Sequence, residues 1–258
     1  MTPTKNYAHV YTHAYRLTAA QCNAQSELAP AQLIQQIIEV STEHADLLGI
    51  GFARLEADGN LWVLSRIAIE MTRYPSLGEH YSLSTWIEGY NRHFSERNFE
   101  IRAKGGETIG YGRTVWFSIN MTTRRPADLS SIADIARTVS DHPCPIAKQG
   151  KIRPVDPPQT IHPYRFVVSD IDVNRHVNSA RYVELILNQF SLQTFDECFL
   201  RRFEIEYKHE CHFGKQVDVC SSALPDTDQM ATVTAIMHED TPICLARSFL
   251  APRTATIK

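Results

Sequence analysis

The feature that most constrains the fold of this chain is an internal repeat, because two blocks of its sequence recur in the same order. Residues 15–17 (Tyr-Arg-Leu) align with residues 164–166 (Tyr-Arg-Phe), and residues 66–78 align without a gap with residues 202–214. The offset changes from 149 to 136 residues between the two blocks. That change falls in a loop, where insertions cost little. We therefore predict that the chain is a duplication of one structural unit.

Each half shows the same order of predicted elements. An apolar stripe with a period of 3.6 predicts a helix over residues 31–46, and a similar stripe predicts one over residues 180–190. Alternating apolar residues follow each helix, which is typical of antiparallel strands with one buried face. In the first half these residues include Leu83, Ile101, Val115 and Phe117, and in the second half Val217, Val219, Val233 and Leu245.

One long helix with several antiparallel strands is the unit of the hotdog architecture, in which the sheet wraps around the helix. We therefore predict an α+β fold of two tandem hotdog repeats, over residues 1–121 and 161–258. Seven of the thirteen prolines fall between Pro126 and Pro163. Such a stretch resists both helices and central strands, so residues 122–160 are predicted to be a linker. Two unrelated α+β domains are the weaker alternative, because the halves align.

The composition narrows the class of protein. With 26 Lys and Arg residues against 29 Asp and Glu residues, the chain gives no reason to expect nucleic acid or an anionic membrane as partner. Its six cysteines form no CxxC pair and no metal-finger spacing, which favours reduced thiols. No apolar run approaches the ~18 residues of a membrane span, and no secretory signal is recognisable. We expect a cytoplasmic protein without a metal or an organic cofactor.

A run of polar residues precedes the second predicted helix, where Asp172, Asn174, His176 and Asn178 occupy every second position. In an extended segment such side chains project to one side. The run leads into a helix N-terminus, whose free N–H groups and dipole can stabilise an oxyanion formed on a carbonyl. The alternative is structural, because Asp and Asn favour turns and Asn178 suits a helix N-cap.

A second candidate element follows the strand that aligns in both halves. Glu210 and Cys211 are adjacent there and are flanked by His209 and His212. A carboxylate beside a thiol offers a general base or a nucleophile. Each residue also has a structural alternative, because free cysteines are often buried and a glutamate at a strand end is often a surface charge. For the two histidines the structural interpretation is the favoured one.

Neither element recurs in the first repeat. The counterparts of the first three polar residues of the run are Asn23, Gln25 and Glu27, and those of the carboxylate and the thiol are Tyr74 and Pro75. If the run served only to shape a turn, the first repeat should need similar residues. We therefore expect a single active centre, located in the second repeat.

Together the two elements resemble the acyl-acyl carrier protein (acyl-ACP) thioesterases. The run Asp-x-Asn-x-His-x-Asn before a helix is followed about thirty residues later by Glu-Tyr-Lys-x-Glu-Cys, and the resemblance covers nearly the whole chain. It implies that Asp172, Asn174, His176 and Glu210 are catalytic and that Cys211 occupies a position once assigned to a nucleophile. Plant members carry a plastid transit peptide that this chain lacks, so a bacterial member is expected.

The implied reaction is hydrolysis of the thioester between a fatty acyl chain and the phosphopantetheine arm of ACP. We favour attack by water, with Glu210 as the base, alone or together with His176. Asn174 and backbone N–H groups at the helix start would hold the carbonyl, and Asp172 would orient the network. The alternative makes Cys211 the nucleophile and His176 its base. Adjacent strand residues point to opposite faces, so Glu210 and Cys211 should not both face the substrate unless a β-bulge intervenes.

The resemblance also implies partners and pockets. ACP is acidic, so basic residues near the motif are expected to contact it. The candidate substrate-binding residues are Arg175, Lys208 and Asn178, and further candidates for a basic patch are Arg181, Arg201 and Arg202. The first repeat is expected to supply the walls of an acyl-chain pocket, with three candidates, Trp62, Trp86 and Trp116.

Other functions fit parts of the pattern. An acyl-coenzyme A thioesterase would use the same chemistry on a different carrier. A hotdog dehydratase or hydratase of hydroxyacyl thioesters would need a histidine and a carboxylate but no water nucleophile. A non-catalytic acyl-binding regulator conflicts with the intact polar set. Acyl length, unsaturation and oligomeric state stay open, with a homodimer among the options.

Overall fold

The computed structural model describes residues 9–129, 135–224 and 230–253, and these form one antiparallel sheet with helices on one face. The strands are β1 (Tyr11–Arg16), β2 (Asn60–Met71), β3 (His80–Tyr90), β4 (Phe94–Ala103), β5 (Thr108–Asn120), β6 (Thr160–Arg165), β7 (Cys198–Tyr207), β8 (Gln216–Ala223), β9 (Met230–His238) and β10 (Thr241–Pro252). The helices are α1 (Pro30–Leu47), α2 (Phe52–Ala57), α3 (Ser179–Leu187) and α4 (Leu192–Glu197). The strand order is β1-β3-β4-β5-β2-β7-β10-β9-β8-β6.

The two halves of this sheet meet at β2 and β7, which are the strands that align in the sequence. Arg66 pairs with Glu206, the counterpart of Glu70, and Glu70 pairs with Arg202, the counterpart of Arg66. The two pairs also form matching ion pairs, with N–O distances of 3.2 and 2.8 Å. The register therefore has a local two-fold relation, and the predicted fold of two tandem hotdog repeats is confirmed. The exact repeat and linker boundaries stay a prediction.

Each repeat buries one long helix against its sheet. Helix α1 starts with Pro30, a residue favourable at a first helical position, and buries a stripe that includes Leu33 and Ile37. Helix α3 buries Val183 and Ile186 and contacts α1, so one hydrophobic core spans both repeats. Helix α3 ends three residues before its predicted end, because Phe190 belongs to a tight turn and packs against Phe195.

The described part of the linker runs across the other face of the sheet. Ile152 packs there against Val233 and Leu245, while Lys148 forms ion pairs with Glu88 and Glu96. The linker therefore covers the face that α1 and α3 leave open. Among the helices of the described residues, none is long and apolar enough to cross a membrane.

Candidate active site

The polar run of the second repeat forms a tight turn before α3. The Oδ1 atom of Asp172 accepts hydrogen bonds from the backbone N–H groups of Asn174 (2.8 Å) and His176 (3.1 Å). The Asp172 N–H donates to the carbonyl of His176 (2.8 Å), and Arg175 has a positive φ of 63°. The expected extended segment is therefore wrong, because the Asp172 carboxylate folds the chain back on itself.

The first repeat builds the same turn before α1. The Oδ1 atom of Asn23 accepts from the backbone N–H groups of Gln25 (3.1 Å) and Glu27 (3.0 Å), and Ser26 has a positive φ of 60°. The Asn23 N–H donates to the carbonyl of Glu27 (2.8 Å). The expectation that the first repeat lacks residues similar to the polar run is thus wrong for Asn23, since Asn23 performs the same structural task as Asp172.

A histidine and a carboxylate face each other above the turn of the second repeat. The Nε2 atom of His176 lies 3.5 Å from Oε2 of Glu210, and both side chains are partly exposed to solvent. The ring of His212 packs edge-on against that of His176, with 5.0 Å between centroids. Such a pair can take a proton from water and return it later.

The other oxygen of this carboxylate is held by a residue that sequence reasoning missed. Arg124, in the turn that follows β5, forms an ion pair with Oε1 of Glu210. Arg124 lies 86 residues before its partner, at the start of the linker, and no motif connects the two. The contact fixes Glu210 so that its second oxygen faces His176.

Cys211 points away from the histidine–carboxylate pair. Its side chain is 3% exposed and belongs to the main hydrophobic core. Burial raises the pKa of the Cys211 thiol, so the thiolate is disfavoured. Its backbone carbonyl accepts from the N–H of Val177 (2.9 Å), which ties the two elements together. Glu210 is exposed and Cys211 is buried, although both lie in the loop after β7 and not on a strand.

The backbone N–H groups around the helix start are mostly occupied. Asn178 is the N-cap of α3, and its side-chain oxygen accepts from the N–H of Ala180 (2.9 Å). The N–H groups of residues 174–178 and of Arg181 also donate within this region. The expectation that free backbone N–H groups hold a carbonyl is therefore not met at these positions. The exposed side chain of Asn174 is a further polar donor of the turn.

Asn174 borders a cavity of about 220 Å³ that otherwise belongs to the first repeat. Its apolar lining comprises Ala45, Ile50, Phe52, Trp62 and Trp116. Trp86, the third tryptophan candidate, is instead fully buried and packs edge-on against His142. A thioester placed at Asn174 would thus have an apolar-walled cavity beside it.

Basic residues near the motif are only partly available to a partner. Arg175 and Arg201 are exposed, and the Nζ atom of Lys208 lies 3.4 Å from Oε1 of Glu206. The two other candidates are engaged in ion pairs: Arg181 with Asp170 and Glu184, and Arg202 with Glu70 and Glu204. Across the described ranges of the chain, no cluster of three or more His, Cys, Asp or Glu side chains could hold a metal ion.

The fold and the site define a double-hotdog protein whose second repeat places His176 and Glu210 side by side next to the helix start. The family model of the acyl-ACP thioesterase N-terminal domain matches residues 8–135, and that of the C-terminal domain matches residues 156–249. The chain therefore belongs to the acyl-ACP thioesterases, a family of thioester hydrolases.

Solved structures and curated relatives agree with this membership. An acyl-ACP thioesterase of Bacteroides thetaiotaomicron VPI-5482 is 31% identical, with a TM-score of 0.87 over 94% of this chain and 98% of that chain. The 12:0-ACP thioesterase of Umbellularia californica shares the fold, with a TM-score of 0.84, 19% identity and coverage of 96% of this chain and 95% of that chain.

Plant relatives are longer than this chain. The chloroplastic oleoyl-acyl carrier protein thioesterase of Coriandrum sativum is 28% identical over 232 residues, which are 80% of this chain and 59% of the relative. The chloroplastic palmitoyl-acyl carrier protein thioesterase of Gossypium hirsutum is 25% identical over 218 residues, 78% of this chain and 52% of the relative. The chain thus spans a little over half the length of these plant relatives.

Proposed function

We propose that this protein hydrolyses the thioester of fatty acyl-ACP, which releases a free fatty acid and ends chain elongation in fatty acid biosynthesis. The observation that carries the proposal is the pair of His176 and Glu210, whose histidine lies in the same turn as Asn174, a residue that borders an apolar-walled cavity. Membership of the acyl-ACP thioesterase family supports a thioester as the bond that this pair would hydrolyse.

In the proposed mechanism, water is the nucleophile. Glu210 and His176 together accept one proton as the water oxygen bonds to the thioester carbonyl carbon. The tetrahedral oxyanion then collapses, the C–S bond breaks, and the proton passes to the departing phosphopantetheine sulfur. The products are a fatty acid and the carrier thiol, so no cofactor enters the balance.

The remaining site residues take supporting roles. The side-chain amide of Asn174 donates to the carbonyl oxygen, where negative charge develops. Asp172 positions Asn174 and His176 through the turn that its carboxylate closes. Cys211 is a core residue in this scheme, because its thiol is buried on the side away from His176 and its raised pKa keeps it protonated at neutral pH.

The carrier and the acyl chain would approach from different sides. Arg175 and Lys208 are proposed to contact the acidic carrier or its phosphopantetheine phosphate. Asn178 would contribute indirectly, because its side chain caps the start of α3. The first repeat, residues 1–121, would hold the acyl chain, and residues 161–258 would hold the catalytic set. The proposed place of action is the cytoplasm.

The test is a panel of acyl-ACP substrates scored for release of free fatty acid, run in parallel with the matching acyl-coenzyme A series. Higher kcat/KM on the ACP series supports the proposal. Higher kcat/KM on coenzyme A would make the protein an acyl-coenzyme A thioesterase. Water loss from hydroxyacyl substrates without release of a free thiol would instead identify a dehydratase.

A further inference from the structure

A charged side chain lines the cavity that the acyl chain would occupy. Arg97 lies on β4, on the face that also buries Phe99, and only 4% of it is exposed. Its Nη1 atom contacts Nδ1 of His44 (2.7 Å) and Oγ1 of Thr85 (3.3 Å). A guanidinium can only donate, so both atoms accept in these contacts. Burial lowers the pKa of Arg97 to about 10, which leaves it charged at neutral pH.

The charge of Arg97 has no anionic partner in the described part of the chain. No Asp or Glu side chain of residues 9–129, 135–224 and 230–253 forms an ion pair with it. Two other partly buried guanidiniums show the usual solution, since Arg113 pairs with Glu88 and Arg202 pairs with Glu70 and Glu204. An unpaired buried charge is costly, and an oxygen acceptor delivered by a ligand would reduce that cost.

The fold itself does not require an arginine at this position. In the first repeat, Ile67 lies opposite Thr114, and Thr114 lies opposite Arg97 on the next strand. In the second repeat, Phe203 lies opposite Ser248, and Ser248 lies opposite Thr232 on the next strand. Because Ile67 and Phe203 are counterparts, Thr232 occupies the place of Arg97. The second repeat therefore builds the same strand with a short neutral side chain.

We infer that the cavity is built for acyl chains that carry an oxygen function, a carboxylate or a hydroxyl, toward their distal end, and that Arg97 donates to that oxygen. The inference rests on the proposed function, which places the acyl chain in this cavity with its thioester at Asn174. Arg97 lines the same cavity, together with the hydroxyl-bearing Ser41 and Ser95. Asn174 is exposed and Arg97 is buried, so a chain whose thioester lies at Asn174 would meet Arg97 deeper in the cavity.

The two oxygen functions differ in charge, and the substrates can separate them. A carboxylate would form a charge-assisted pair with Arg97, whereas a hydroxyl would form a weaker hydrogen bond. A hydrogen bond to a charged group corresponds to roughly 10- to 150-fold in binding. We expect kcat/KM for the preferred oxygenated chain to exceed that for the methyl-terminated chain of equal length by about tenfold or more.

The experiment measures kcat/KM on ACP loaded with methyl-, hydroxyl- and carboxyl-terminated chains over a series of lengths. The wild-type protein should prefer an oxygenated chain, and Arg97→Met should abolish that preference while it retains hydrolysis of methyl-terminated chains. Arg102→Met is the matched control, because Arg102 lies on the same strand and is exposed. This variant should keep the wild-type ranking of the three chain types.

Several results would overturn the inference. If the wild-type protein prefers methyl-terminated chains at every length, the inference is wrong. This result needs only the wild-type protein, so it holds even if Arg97→Met fails to fold. If Arg97→Met changes only the preferred chain length, Arg97 limits the depth of the cavity and does not recognise an oxygen function, so the inference is wrong. Failure of the proposed function looks different, because no chain of any kind would then be released from ACP.

Discussion

The turn before α3 and the turn before α1 follow the same backbone path but carry different chemistry. In the second repeat, His176 faces the carboxylate of Glu210 at 3.5 Å. In the first repeat, Glu27 occupies the histidine position and forms a bidentate ion pair with Arg253, at 2.6 and 2.8 Å. Tyr74 occupies the place of Glu210 and donates from its hydroxyl to the carbonyl of Leu200 (3.0 Å).

This difference separates what the fold needs from what the reaction needs. Both repeats require the turn, and Asp172 and Asn23 form it with the same two backbone hydrogen bonds. Only the second repeat aims a titratable pair toward solvent at this position. The first repeat uses the equivalent position to bind Arg253, which also donates to two backbone carbonyls near α4.

The largest expected effect is the loss of the histidine. His176→Ala should lower kcat on acyl-ACP by about 100-fold or more, because a general acid–base group is removed while the fold survives. Glu27→Ala, at the equivalent position of the first repeat, is the matched control and should keep most of kcat. Steady-state kinetics on one substrate checks both variants. A loss in Glu27→Ala as deep as that in His176→Ala would disprove a single active centre.

A smaller effect, on stability alone, is expected for the ion pair of the first repeat. Glu27→Ala removes two charge-assisted hydrogen bonds and leaves Arg253 partly buried without its carboxylate, at a cost of about 1–2 kcal/mol. Chemical denaturation monitored by fluorescence measures the loss, with His176→Ala as the comparison. If His176→Ala destabilised the protein more than Glu27→Ala, the assigned roles of the two positions would be reversed.

The smallest effect concerns the residue that closes the turn. Asp172→Asn should keep kcat within about tenfold and stability within about 1 kcal/mol, because an Asn oxygen can accept the same backbone hydrogen bonds. Asn23 already forms that turn in the first repeat. The kinetic and denaturation assays used for the other variants apply here. Inactivation of a stable Asp172→Asn protein would show that the negative charge itself acts in the reaction.

Much of the fold follows from the sequence, because patterns that repeat at fixed offsets identify equivalent strands. The aligned residues 66–70 and 202–206 form equivalent strands, which the structure pairs with each other where the two repeats meet. The histidine and the carboxylate could also be found, since each lies in a polar motif next to an aligned block. The tight turn is one of two interpretations of the polar run, and the sequence does not decide between them, because alternating polar residues fit an extended segment until the side-chain hydrogen bonds of Asp172 are known.

Long-range contacts account for what sequence reasoning missed. Arg124 contacts Glu210 because the fold brings the turn after β5 close to the loop after β7. No local sequence pattern predicts that proximity. The sequence pattern does not show that Arg97 borders a cavity, because the lining of that cavity comes from segments far apart in the chain. The same limit applied to Cys211, whose burial, rather than its place in a motif, separates it from the reacting groups.

The central claim is that a histidine–carboxylate pair in the second repeat activates water, and the most direct test compares Glu210→Ala with Cys211→Ala. Both kcat values are measured on one acyl-ACP substrate, and intact-mass analysis of the protein during turnover detects any acyl-enzyme. The account predicts a loss of about 100-fold or more for Glu210→Ala, a small loss for Cys211→Ala and no acylated protein. An acylated Cys211, or a Cys211→Ala variant slower than Glu210→Ala, would contradict it.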